Sequence, residues 1–112
     1  MGRSGDSAIL ERLFAVIESR KGADPSVSRT AHLFDRGVSK IAQKVGEEAV
    51  EAAIAAVEGK RAELVGESAD LLYHLFVLWS AMGLTPEDVY AELARREGTS
   101  GIEEKSSRAA KG

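Results

Sequence analysis

The chain has 112 residues, 44% hydrophobic and 29% charged, with no cysteine and a formal net charge of -3, which fits one globular domain and excludes disulfides or thiolate metal sites. No basic stripe appears before the last eighteen residues, and no apolar run reaches the length of a membrane span, so neither nucleic acid nor membrane is expected as a partner. The opening Met1-Gly2-Arg3-Ser4-Gly5 does not read as a secretory signal, so the expected location is the cytoplasm.

Residues 1–6 are expected to fray, with Asp6 or Ser7 capping a first helix. Ile9, Leu10, Leu13, Phe14 and Ile17 repeat at helical spacing, and Gly22 and Pro25 bound the segment. Residues 23–37 are less regular. Thr30, Ala31, Leu33 and Phe34 suit a short helical turn closed by Gly37, with His32 exposed beside Arg29 and Arg36.

Residues 38–58 predict a long helix with an alanine-rich apolar side, about 31 Å long. Residues 61–82 predict a second. Its latter half, Leu71 to Trp79, is apolar nearly all round. Such a helix needs burial on every side, which points to a subunit interface in so short a chain. Thr85 then caps a last helix with Pro86 in its first turn and Asp88 adding negative charge there. Gly98 ends it, and residues 99–112 form a polar tail of mobile composition. The fold class expected is all-α, a helical bundle whose four-helix core is completed in a homodimer.

Five acids carry the chemical signal. The first long helix holds Glu47, Glu48 and Glu51, and the second holds Glu67 and Asp70. Spacings of three and four put each set on one helical face. Gly59-Lys60 leaves no room for a crossover, so the helices run antiparallel. Glu51 is eight residues before Gly59 and Glu67 eight after, which brings the two sets to one level. Two carboxylates 5 Å apart repel by about 3 kcal/mol at an effective dielectric of 20. A divalent cation relieves that repulsion, and oxygen-only ligands suit Mg²⁺ or Mn²⁺. The bland alternative is a solvated acidic face. It is weakened because Glu67 and Asp70 share a side with Leu71 and Leu78, where no Lys or Arg lies within a turn.

A di-iron bundle needs Glu-x-x-His, and Leu71 stands where the acid before His74 would be. His74 either orients the Asp70 carboxylate or is a satisfied core histidine. Lys40, Lys44 and Gly46 suit phosphate handling, although Lys44 also fits an intrahelical ion pair. Carboxylate-held metal with a lysine is equipped for phosphoryl hydrolysis.

Glu47-Glu48-x-x-Glu51 followed after fifteen residues by Glu67-x-x-Asp70 resembles the signature of the all-alpha nucleotide pyrophosphatases, the MazG-like superfamily. Ser28-x-Thr30-x-x-Leu33, Lys44 to Ala49, Asp70 to Leu75, Gly98-Thr99-Ser100-Gly101 and Glu104-Lys105-x-x-Arg108 look like its phosphoribosyl-ATP pyrophosphohydrolase family, over about residues 8–108. The resemblance implies a Mg²⁺-dependent homodimer or higher oligomer. Its reaction converts 1-(5-phospho-ribosyl)-ATP to the AMP form and pyrophosphate, the second step of histidine biosynthesis. By motif, Glu48, Glu51, Glu67 and Asp70 would hold the metal. Glu47 would be a further ligand or orient water, Lys44 would contact phosphate, and Ser100, Lys105 and Arg108 would help hold substrate. Two other readings are a house-cleaning pyrophosphohydrolase for other nucleoside triphosphates and a non-catalytic helical dimerisation module.

Overall fold

The structure, a computed structural model, describes residues 6–98, which form five helices and no strand. The first, α1, spans Ala8–Ser19 and turns Leu10, Leu13, Phe14 and Ile17 inward. Ser7 occupies its N-cap without a side-chain cap bond. The connection that follows is built by Asp24, whose carboxylate accepts from the Ser26 amide at 2.9 Å and the Ser26 hydroxyl at 2.8 Å, an Asx turn.

The next helix, α2, covers Arg29–Arg36 and is longer than the single turn expected. The Ser28 hydroxyl accepts from the Ala31 amide at 3.1 Å, which satisfies one of the free amides of its first turn. Gly37, at φ +92°, separates it from α3, Val38–Val57. Gly59, at φ +73°, then reverses the chain into α4, Arg61–Ala81. The Lys60 amide donates to the Ala55 carbonyl at 2.9 Å and the Gly59 amide to Ala56 at 3.1 Å, closing the end of α3. Helix α5, Pro86–Arg96, starts with a capping box in which Thr85 and Asp88 each bond the other's amide.

The α3–α4 hairpin is the frame, and α1 and α2 close over it. Ile17, Leu33, Ile41, Phe76 and Val77 form the core, flanked by Phe14, Phe34 and Trp79. Phe76 meets Phe14 edge-on at 6.2 Å between ring centres and stacks on Trp79 at 4.8 Å. The Ser80 hydroxyl donates to the Glu18 carboxylate, and Lys21 Nζ donates to the Ser80 carbonyl at 2.9 Å. These bonds tie the end of α1 to the end of α4.

The packing revises one expectation about burial. In the latter half of α4, His74, Phe76 and Val77 are buried by the chain's own core. Exposed apolar residues are spread over the chain, with the most exposed on the hairpin near its turn. Val57 is 88% exposed and Val65 71%, with Val50, Ile54 and Leu72 also open. No described helix is long and apolar enough to cross a membrane.

Replacing Phe76 by Ala is expected to cost about 3–5 kcal/mol, because a filled core site becomes a cavity. Val27→Ala, in the exposed connection before α2, should stay within about 0.5 kcal/mol of the parent. Urea denaturation of both variants checks the contrast.

Candidate metal centre

Along α3 the inward line is set by Ile41, Glu48 and Ala55, seven residues apart and all buried. Glu48 therefore occupies a core position between two apolar ones and is only 7% exposed. Across the hairpin, α4 carries Glu67 and Asp70 one turn apart. One carboxylate oxygen from each of Glu48, Glu67 and Asp70 lies within 4.8 Å of the other two. Glu48 Oε1 and Glu67 Oε1 are buried and have no hydrogen-bond partner.

Buried carboxylate oxygens without donors are costly unless protonated or matched by a cation. The Glu67 carboxyl is accordingly pushed up to about 7. Desolvation is the largest cause, followed by the adjoining carboxylates of Glu48 and Glu51. The ligand atoms are all carboxylate oxygens drawn from two helices, and one each on Glu48 and Glu67 is left unsatisfied. They fit a hard divalent cation of the Mg²⁺ or Mn²⁺ kind.

The remaining acids divide. Glu51, expected as a fourth ligand, lies outside the compact triad but close enough to Glu67 to raise its pKa. Glu47 faces elsewhere. Its carboxylate accepts from Gln43 Nε2 at 2.9 Å and pairs with Lys44 Nζ at 3.4 Å. The Gln43 bond chiefly, with help from Lys44 and Lys40, holds its pKa below the ordinary value. Lys44 thus makes the intrahelical pair foreseen as its bland role, and it remains partly exposed at the edge of the acids. Glu47 and Glu51 line an open groove with Gln43, Gly46 and Val50. A Cβ added at Gly46 would touch nothing within 4 Å, so the chain's own packing does not require glycine there. Ser100, Lys105 and Arg108 lie outside the described residues.

His74 does not orient the Asp70 carboxylate. Its Nδ1 bonds the Asp70 main-chain carbonyl at 2.8 Å, one turn back along its own helix. The ring is fully buried beside Tyr73, 4.9 Å between ring centres. Tyr73 in turn bonds Thr30 of α2 through its hydroxyl at 2.5 Å. That link from α2 to the helix bearing Glu67 and Asp70 joins residues 43 apart in sequence, and no local periodicity signals it.

Comparison with known proteins bears on this geometry. Residues 10–97 match the family described as phosphoribosyl-ATP pyrophosphohydrolase. The chain is 65% identical over 106 residues to the phosphoribosyl-ATP pyrophosphatase of Paramagnetospirillum magneticum, covering 95% of this chain and 97% of that one. It is 62% identical over 102 residues to the protein of the same name from Azospirillum brasilense, covering 91% and 92%. With that of Gluconobacter oxydans it shares 61% identity over 100 residues, covering 89% of this chain and 75% of the relative.

Two predictions follow from the carboxylates. The Glu67 carboxyl holds its proton up to about pH 7 in the folded chain but only to its ordinary 4.5 when unfolded. Folded-state stability without metal therefore falls as pH rises through that window. The other shifted acids, Asp24, Glu47 and Glu92, are lowered and titrate beneath it. Melting curves in a chelator should show a higher Tm at pH 5 than at pH 8, and millimolar Mg²⁺ should raise Tm at pH 8. Equal Tm values with and without Mg²⁺ at pH 8 would contradict the cation reading. Separately, Gly46→Ala should stabilise the metal-free chain by about 1 kcal/mol. A loss of activity in that more stable protein would mark the groove at Gly46 as the place where substrate comes close.

Proposed function

Since the chain belongs to the phosphoribosyl-ATP pyrophosphohydrolase family, we propose that Glu48, Glu67 and Asp70, with Glu51 beside them, hold Mg²⁺ for its reaction. The chain hydrolyses 1-(5-phospho-ribosyl)-ATP to 1-(5-phospho-ribosyl)-AMP and pyrophosphate, the second step of histidine biosynthesis. Water adds its oxygen to phosphorus, the anhydride bond between the α and β phosphates breaks, and pyrophosphate departs. The observation that carries the metal assignment is the pair of buried, donorless oxygens on Glu48 and Glu67.

A bound divalent cation neutralises phosphate charge and makes water more acidic. The protein's share is placement. Glu48, fixed in a core position, and Glu67 and Asp70, one turn apart on α4, hold the ligand oxygens on rigid helices. Glu51 stands at the mouth of the triad, in the groove it shares with Glu47. Glu47, kept ionised by Gln43 and Lys44, is an acceptor suited to orienting a water molecule. Its lowered pKa suits that role better than taking a proton outright. Lys44, and Lys40 one turn before it, are proposed to supply positive charge to the substrate's phosphates. Ser100, Lys105 and Arg108 are proposed as further substrate contacts on the family resemblance.

The uncovered apolar residues of the hairpin, Val50, Ile54, Val57, Val65 and Leu72, support a homodimer. Large apolar side chains exposed on both helices of the hairpin suit a partner surface on a small helical chain. The reaction belongs in the cytoplasm with the rest of amino-acid synthesis.

A panel of nucleotides with Mg²⁺ tests the activity. Phosphoribosyl-ATP should be cleaved with release of pyrophosphate, and ordinary or deoxynucleoside triphosphates far more slowly. Preference for the latter would turn the reading to a house-cleaning hydrolase. Asp70→Asn and Glu51→Gln should each lower kcat at least about a hundredfold while the helical circular-dichroism spectrum is kept. Near-parental turnover in either would remove that residue from the site. Val57→Glu combined with Val65→Glu should yield a monomer by light scattering, whereas an unchanged mass would move the interface elsewhere.

A further inference from the structure

The basic residues assigned to phosphate so far all lie on α3 or beyond residue 98. Helix α2 contributes another. The Arg29 guanidinium lies over the Tyr73 ring, 5.6 Å from its centre. Tyr73 is three residues after Asp70 on α4, so its Cα stands about 4.5 Å further along the axis, one turn from Asp70. The Thr30–Tyr73 hydroxyl bond fixes that ring, and Thr30 is itself buried. Arg29 is exposed, and no carboxylate of the described residues forms an ion pair with it, Asp70 included. A guanidinium seated on an aromatic face is oriented in advance and loses little freedom when an anion arrives. The hairpin register sets Lys44 at about the level of Tyr73, since Glu48 and Asp70 occupy neighbouring levels and each is about a turn away. Cations therefore stand on two elements at the same end of the acidic triad.

We propose that Arg29 is a substrate-binding residue, held by the Tyr73 ring to take a phosphate group of the nucleotide next to the metal-held ones. The assignment rests on the hydrolase reading and deepens it. Arg and phosphate match in planar, two-pronged geometry, and an unpaired Arg beside an acidic metal site supplies charge that the carboxylates cannot. Two parts of the substrate offer this chemistry, the triphosphate and the phosphate on the ribosyl arm.

Steady-state kinetics on the full chain with saturating Mg²⁺ test it. Arg29→Ala should raise KM for phosphoribosyl-ATP about tenfold or more while kcat stays within about threefold. Arg29→Lys should recover part of the loss, and Arg36→Ala, at the far end of α2, should match the parent. Inhibition by inorganic pyrophosphate separates the two sources. If it weakens in step with KM, the phosphate belongs to the triphosphate; if it is unchanged while KM rises, it is the ribosyl phosphate. A KM in Arg29→Ala within about twofold of the parent overturns the assignment while leaving the hydrolase intact. A parent chain with no turnover of phosphoribosyl-ATP refutes the hydrolase reading and this assignment with it.

Discussion

Carboxylates gathered in a partly dry space repel one another and lack the hydrogen bonds that water would give them. The α3–α4 hairpin enforces that gathering at Glu48, Glu67 and Asp70. Glu48 cannot swing into solvent without vacating a core position between Ile41 and Ala55. Glu67 responds in the only way open to it without a cation, by holding its proton to about pH 7. A divalent ion resolves both difficulties at once, through charge and through coordination of the donorless oxygens.

The rest of the chain serves that hairpin. Helices α1 and α2 cover the far half of α4 with Ile17 and Leu33, which stiffens the helix bearing Glu67 and Asp70. Near the turn, Val57 of α3 and Val65 of α4 stay uncovered. A dimer contact there would brace the same two helices from the other side. The metal centre would then lie between an internal core and an external one, with its ligands on rigid elements, as a preorganised site requires.

Much of this was legible in the residues. Helix periods, the glycines at 37, 59 and 98, and the capping of α5 by Thr85 and Asp88 are local signals, and the long helices fall within a residue or two of where they point. The equal distance of Glu51 and Glu67 from Gly59 foretold that the acids of the two helices meet. What it left open was which oxygens come closest, since that depends on helix rotation and side-chain rotamers. Glu48 enters the triad while Glu51 borders it, and Glu47 turns to Gln43 and Lys44. The Ser28 cap carries no periodic signal, so Thr30 to Phe34 alone suggest a short turn where α2 forms two. The burial of Phe76 and Val77 by α1, the main-chain bond of His74, and the contact of Arg29 with Tyr73 follow from tertiary packing. Local patterns do not encode it.

The central claim is that a cation belongs among Glu48, Glu67 and Asp70. Titration of the metal-free protein with Mn²⁺, followed by the paramagnetic resonance of the free ion, measures it directly without any substrate. The parent chain should bind Mn²⁺ saturably, Mg²⁺ should compete, and Glu48→Gln and Asp70→Asn should lose that binding. Binding of the same strength in both variants, or none in the parent, would contradict it.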